Sequence, residues 1–572
     1  MLTQSRPSYV QAAASCAGLL FLATPASAQA VAGGESAHLL HLTDNVPGTL
    51  FGGSVSNAGD VDADGYDDLL VGATGMQPIG THVLGTARVF SGSTGALLYT
   101  WYGGAIDDFF GDHVSAAGDT NADGYADILV SARNAGGASG SVYVYSGFDG
   151  SLLHQWDGAT PGTSLGFSIS GAGDSNADGY DDVLIGAPGY DITGKSNVGA
   201  VYLYSGATGA QLRMWKGTQS NGGFGNAVSG AGDVNGDGKA DVIIGAPREN
   251  AASYAEGVAY VYNGWSGMLL RKYEGAQPYD EFGFSVSGAG DVNGDGRADV
   301  AIGSRQAAVG TLYYAGSVFV RSGVNGALLH QYDGTTQNGS FGYSISNAGD
   351  TNGDGVEDLI IGAYSEDPAG LSNAGSAYLY SGNSGALLAK WDGSYTEDNF
   401  GATVSGAGDT NGDGLADVIV GAAGEDLGPN DYAGGAHVYS FKPFLQPDAS
   451  TMSLSAGGVL HFALDFPTSS GLDDYKILLS AAGTGPTTYG VQVPLTIDSM
   501  VLDSYFGIYP VPTFSNMHGT LDISGVASAS MTLPANLSPS LAGAQIHFAA
   551  IASMSGLLPQ FSSAPVTITL AL

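Results

Sequence analysis

Seven nine-residue segments carry oxygen-bearing side chains at alternate positions, and they hold most of the chemistry legible in this chain. The first, DVDADGYDD, offers Asp60, Asp62, Asp64 and Asp68, with the backbone carbonyl of Tyr66 between the last two. The second and third offer Asp119, Asn121, Asp123, Tyr125 and Asp127, then Asp174, Asn176, Asp178, Tyr180 and Asp182. The fourth and fifth offer Asp233, Asn235, Asp237, Lys239 and Asp241, then Asp291, Asn293, Asp295, Arg297 and Asp299. The last two offer Asp350, Asn352, Asp354, Val356 and Asp358, then Asp409, Asn411, Asp413, Leu415 and Asp417. Asp stands at positions 1, 5 and 9 without exception and Gly at position 6, while the residue at position 7 is counted for its carbonyl alone.

Hard divalent cations take six to eight oxygens at about 2.3–2.6 Å, which a tight loop with alternate residues turned inward supplies, the glycine allowing the bend. Calcium fits best, with up to seven ions, one per loop. Magnesium keeps more water and a stricter octahedron, and the loops hold no His or Cys to recruit zinc. These are not helix-flanked calcium hands, which need a bidentate Glu at position 12, because the residue there after Asp60 is Val71, inside an apolar run. A single acidic turn of this kind could merely solvate a hairpin. Seven in register argue for metal. Of the 54 acids, 25 lie in these segments, so the net charge of −38 is concentrated at the sites.

The segments recur at intervals of 55 to 59 residues, the signature of one supersecondary unit stacked repeatedly. Four strand candidates recur in each unit. Around the third loop they are Gly166–Ser170, Val183–Ala187, Ala200–Tyr204 and, ahead of the others, Leu152–Trp156, each bounded by glycine-rich turns. Glycine is 92 of the 572 residues and charged residues only 12%, yet 44% hydrophobic residues leave material for a core. The expected fold is all-β: a seven-bladed β-propeller over residues 38–441, followed by a small β-sandwich over 449–572. The last repeat has strands at Gly401–Ser405, Val418–Ala422 and Ala436–Tyr439, then breaks at Lys442-Pro443 without a fourth. Leu39 to Asp44, which aligns with Leu152 to Asp157, is expected to complete that blade from the N-terminus.

Arg6, the apolar stretch Ala12–Ala23, Pro25 and the triplet Ala26-Ser27-Ala28 have the layout of a cleaved secretory signal over residues 1–28. The single cysteine, Cys16, lies within it, so the mature chain is expected to hold no disulfide and to be secreted or held at the cell surface. The acidity excludes a nucleic-acid partner, no later run is apolar enough for a transmembrane helix, and a monomer is expected.

The repeats resemble the FG-GAP repeats of the integrin α-subunit propeller. The words that carry this are Phe51-Gly52, Phe110-Gly111, Phe224-Gly225, Phe282-Gly283, Phe341-Gly342 and Phe400-Gly401, with Leu165-Gly166 in the third repeat, and Gly186-Ala187-Pro188 and Gly245-Ala246-Pro247 for the second word. The resemblance implies calcium loops between the first and second strands on one face and ligand recognition on the opposite face. Integrins carry fewer than seven such loops, so the chain is closer to a secreted bacterial FG-GAP protein. By that analogy the recognition loops are 188–198, 247–256, 304–315, 364–374 and 423–434, with Tyr190, Tyr254, Tyr313, Tyr314, Tyr364 and Tyr432 as rim aromatics for a protein or glycan partner. Trp101, Trp156, Trp215 and Trp391 recur at one outer-strand position and read as blade packing.

No catalytic constellation is expected. Gly162-Thr163-Ser164-Leu165-Gly166 matches the nucleophile-elbow pattern but falls on the turn of the third repeat, away from any strand-to-helix context. The ten histidines look scattered. The preferred reading is an adhesion or ligand-recognition propeller. A multivalent glycan-binding lectin is the alternative of the same kind, and a secreted propeller hydrolase is the alternative of a different class.

Overall fold

The second strand of every repeat is the most apolar, and its sequence dictates its place. Asp182–Ala187 (DVLIGA) is buried along its whole length, as are its six counterparts, because it lies inside a sheet that is covered on both faces. The innermost strands, such as Ser168–Gly173 (SISGAG), are built of small residues. Neighbouring strands crowd at the axis there, and a Cβ on Gly171 would lie 2.9 Å from the carbonyl oxygen of Ala116 in the preceding blade. Third strands such as Ala200–Tyr204 alternate, and outer strands such as Gln211–Lys216 are half exposed.

The computed structural model describes residues 34–443, other than 45, 76–82, 251–254 and 427–431, together with the backbone of strands between Leu445 and Ala571. Seven four-stranded antiparallel sheets form the blades of a β-propeller. Each of the first six blades is completed by the strand that follows its third in sequence, so Leu152–Asp157 is the outer strand of blade 2 and Gln211–Lys216 that of blade 3. The seventh blade combines Thr403–Gly408, Asp417–Ala422 and Gly435–Pro443 with the N-terminal strand Gly34–Thr43, as the missing fourth strand required. The third strand of that blade runs on through Lys442 to Pro443 instead of breaking there, because Gly34–Thr43 pairs with it as far as Gly34 opposite Pro443.

One register differs from the alignment by a single residue. In blade 2, Gln155 stands opposite Tyr143 and Trp156 opposite Val142. In blade 7 the matching partners are His41 opposite His437 and Leu42 opposite Ala436, so Leu42, not Thr43, takes the tryptophan's place. A one-residue slip reverses every side chain, and burial decides it: Leu42 is buried beside Phe51 and Phe90.

Cores form between blades. Val201, Leu203 and Trp215 of blade 3 pack with Val242 and Ile244 of blade 4, and the other interfaces repeat this. Trp101, Trp156 and Trp215 each donate their indole N–H to a glycine carbonyl in the next blade, and Trp391 stacks on Tyr439, so these residues are packing elements as expected. All six FG phenylalanines are buried, and Leu165 is buried in the same role. The glycine beside each is obligatory: Gly52 has φ of 81°, and a Cβ there would lie 2.0 Å from the carbonyl oxygen of Gly435.

In the C-terminal part, Leu445–Pro447, Gly458–Asp465, Val526–Leu533 and Phe514–Ser515 form one sheet. Thr451–Ser453, Val566–Ala571, Gln545–Ser553, Asp474–Ser480 and His518–Thr520 lie in a second. The leader and Cys16 fall outside the described residues.

Candidate metal centres and the opposite face

Each acidic segment connects the innermost strand of its blade to the second, and its hydrogen bonds repeat from blade to blade. The carboxylate at position 1 accepts from the amides at positions 5 and 6: Asp60 from Asp64 and Gly65 at 3.2 and 3.0 Å, and Asp409 from Asp413 and Gly414 at 3.2 and 2.9 Å. Asp119, Asp174, Asp233, Asp291 and Asp350 do the same. The carboxylates of Asp64, Asp123, Asp178, Asp237, Asp295, Asp354 and Asp413 accept from the amides of Tyr66, Tyr125, Tyr180, Lys239, Arg297, Val356 and Leu415. These bonds coil each loop around the carboxylates at positions 1 and 5. Gly65, with φ of 90°, makes the turn.

Position 9 opens the second strand and is buried in all seven blades. Asp68 accepts from the amides of Val61 and Gly92 at 2.9 and 3.1 Å, and Asp358 from Thr351 and Gly382 at 3.0 Å each. Burial, reinforced by neighbouring carboxylates, pushes Asp68, Asp127, Asp182, Asp241 and Asp299 up to about 6 and Asp417 up to about 7, and raises Asp358 as well. Among the described residues no lysine or arginine forms an ion pair with any of these acids. An all-oxygen donor set, gathered on buried carboxylates that lack a protein counter-charge, fits a hard cation.

The loops are not equivalent. In the first, oxygens of Asp60, Asp62 and Asp68 lie within 4.8 Å of one another. In the other six, the Asn at position 3 donates its amide to the carboxylate at position 9, at 2.9 to 3.4 Å: Asn121, Asn176, Asn235, Asn293, Asn352 and Asn411. Loop 1 therefore carries one more negative charge at its centre. The sequence did not disclose the contributions from the turn between the third and outer strands. Ser93 donates to Asp64 at 2.8 Å and Asn263 to Asp237 at 2.6 Å, across 29 and 26 residues. Only the return of the hairpin to the same end of the blade brings them there.

At the other end, Arg305 lies 3.8 Å above the ring of Phe284 and 5.6 Å from that of Tyr343, while Arg133 faces Phe109 and Phe167 and pairs with Asp112 at 2.6 Å. These residues flank the FG words or follow the second strands, and none is among the rim tyrosines read from the sequence. Of those, Tyr364 packs tilted against Tyr343, ring centroids 4.2 Å apart, and Tyr190 lies under Lys216. Tyr432 reaches Glu397, and Tyr313 and Tyr314 are exposed. Tyr254 lies outside the described residues. Ser164 has φ of 52° on a turn that leads into strand Ser168–Gly173, so no helix follows it as a nucleophile elbow requires.

The FG-GAP repeat matches seven times, at residues 51–90, 110–145, 165–204, 224–262, 282–320, 341–380 and 400–439, one match per blade. The chain belongs to the FG-GAP repeat family. Its FG-GAP propeller is also similar to curated integrins: 29% identical over 249 residues to integrin alpha-PS2 of Drosophila melanogaster and 31% over 250 residues to integrin alpha-4 of Xenopus laevis. It is 29% identical over 225 residues to integrin alpha-V of Gallus gallus. The matches cover 37–41% of this chain and only 18–23% of those relatives. This FG-GAP protein thus shares a propeller with the integrins, whose length lies mostly outside the match.

Proposed function

We propose that the chain is an exported, calcium-stabilised propeller that recognises an extracellular ligand through the face opposite its acidic loops. The observation that carries this reading is the division of the molecule into two ends. At one end lie seven acidic loops, each with a buried Asp at position 9; at the other stand the arginines and aromatic rings of Phe284, Tyr343, Arg305, Phe167 and Arg133. The ligand set assigned to each ion is the Asp at positions 1, 5 and 9, the Asp or Asn at position 3 and the carbonyl at position 7, from Asp60 through Asp417. Calcium there has no chemical step to perform: it neutralises carboxylates that otherwise repel one another and fixes the loops, adding about 2.7 kcal/mol per site at a hundredfold excess over its dissociation constant.

Arg305 and Arg133 stack on aromatic rings and already pair with Glu281 and Asp112, so a carboxylate-bearing protein ligand would meet the guanidinium N–H donors that those pairs leave over. A second reading is glycan binding, favoured by the exposed pair Tyr313 and Tyr314, whose rings suit stacking on sugars. A glycan array and a panel of extracellular proteins, probed with and without calcium, separate the two. Calcium-dependent binding to protein alone supports the first reading, specific sugar binding supports the second, and binding to neither overturns both.

A further inference from the structure

Blades 4 and 6 share a polar cluster on the outer half of the blade. In blade 6, Glu366 accepts from the Tyr378 hydroxyl at 2.5 Å, and Lys390, directly opposite Tyr378 on the outer strand, lies 3.7 Å from the same carboxylate. In blade 4, Glu249 accepts from the Tyr260 hydroxyl at 2.7 Å, with Lys272 opposite Tyr260. Blade 7 keeps the glutamate and replaces both partners. His437 stands at the tyrosine position and His41, from the N-terminal strand, at the lysine position. The built-in cation is gone, and two imidazoles take its place.

Those imidazoles converge. His41 Nε2 and His437 Nε2 lie 3.1 and 3.0 Å from the same oxygen, Glu425 Oε2, and the rings stack at 4.2 Å with 13° between their planes. The three ligand atoms fall within 4.8 Å of one another. In a tetrahedral site with bonds of about 2.0–2.1 Å, neighbouring donors stand about 3.3 Å apart, close to the 3.1 and 3.0 Å that separate the two nitrogens from Glu425 Oε2. Space for the carboxylate is provided by Gly435, where a Cβ would lie 2.0 Å from Glu425 Oε2. The equivalent positions in the other blades are Thr86, Ser141, Ala200, Val258, Ser317 and Ser376, all of which carry a side chain. A histidine that binds metal through Nε2 carries its proton on Nδ1, which needs an acceptor, and His437 Nδ1 faces His38 Nε2 at 3.2 Å.

We infer that His41, His437 and Glu425 form a binding site for a borderline transition-metal cation of the zinc class, separate from the oxygen loops, which ties the N-terminal strand to the last blade. Nitrogen donors select such an ion over calcium, and three protein ligands leave a fourth position for water. His41 lies 384 residues from Glu425 in sequence, so the ion closes the ring.

The test uses untagged full-length protein saturated with calcium, titrated with zinc chloride by calorimetry and followed by thermal melting. The control is the double variant His41→Lys, His437→Tyr, which copies the Glu–Tyr–Lys cluster of blade 6 and so keeps a cation for Glu425. One zinc per chain and a raised melting temperature are expected for the parent, with affinity at least tenfold weaker and no thermal shift in the variant. Cobalt in place of zinc should give the intense visible bands of a tetrahedral centre in the parent alone. Equal zinc binding by both proteins, or none by the calcium-loaded parent, overturns the inference. Neither result bears on the calcium loops, which are filled in both proteins.

Discussion

The amide of Asp67 donates to the carbonyl of Asp409 at 3.1 Å, and the Asp67 carboxylate accepts from the Asp409 amide at 2.9 Å, joining the first acidic loop to the last across 342 residues. The same backbone bond from position 8 to position 1 of the preceding loop links Asp181 to Asp119, Ala240 to Asp174, Ala298 to Asp233 and Ala416 to Asp350. Five of the seven junctions between neighbouring loops thus carry this bond. At those junctions, whatever orders one loop also orders the backbone of its neighbour.

Asp67→Ala keeps the backbone bond and removes the side-chain one. A half-buried charge-assisted hydrogen bond contributes about 1–2 kcal/mol. The substitution should lower the melting temperature by a few degrees, and Asp181→Ala, which loses the matching bond to Asp119, should do the same. Ala240→Ser, at a position 8 that has no side-chain bond to lose, is the control, and a drop of equal size there would count against the link.

Much of this arrangement was legible in the sequence, and the remainder failed for identifiable reasons. The second strands announced themselves because burial on both faces demands an unbroken apolar run, and the loops because the Asp spacing never varies. The N-terminal closing strand was found, but its register was one residue out. Outer strands are half exposed, so their alternation is weak, and each skips a residue against the third strand, as between His38 and Leu40. Aligning His41 with His154 placed it on the wrong face and hid its meeting with His437. Arg305 over Phe284 was equally invisible, since 21 residues and a blade's second strand separate them.

Asp358→Ala should reduce bound calcium by one ion per chain, read by elemental analysis of dialysed protein. It also strands the buried amides of Thr351 and Gly382, at about 1–3 kcal/mol each. Asp62→Asn is gentler, converting the first loop to the chemistry of the other six. It should weaken calcium binding at that loop several-fold and slightly raise the stability of the metal-free protein, because one of three crowded carboxylates is neutralised. An unchanged calcium count for Asp358→Ala would remove position 9 from the ligand set.

The acids at position 9 set the sign of the pH dependence. In the metal-free fold Asp68, Asp127, Asp182, Asp241 and Asp299 stand near 6 and Asp417 near 7, raised first by burial, against about 3.9 when unfolded. An acid whose value rises on folding binds its proton more tightly in the folded state, so stability grows as pH falls through the folded value toward the unfolded one. In chelator, the melting temperature should therefore rise between pH 8 and pH 5. Calcium needs the ionised form, so the stabilisation it adds should be greatest at pH 8 and shrink toward pH 5. Melting curves at both pH values, with calcium and with chelator, test this, and a chelated protein that loses stability on mild acidification contradicts it.

Ring closure yields the sharpest test of the fold. Leu42 occupies the site that Trp156 fills in blade 2, buried among Phe51, Phe90 and Val438, whereas Thr43 is only partly buried. Leu42→Ala should cost about 2–5 kcal/mol through lost burial and an unfilled cavity, while Thr43→Ala costs less than about 1 kcal/mol. If the strand were paired one residue out of register, as the sequence alignment placed it, the two effects would be reversed. Deleting residues 38–45 removes six of the ten residues of the outer strand Gly34–Thr43 and exposes most of the edge of Gly435–Pro443. Each blade packs on two neighbours, so the loss should propagate around the ring and unfold all seven blades in one transition. A deletion product that melts cooperatively at the parent temperature would show that the propeller closes without its N-terminal strand.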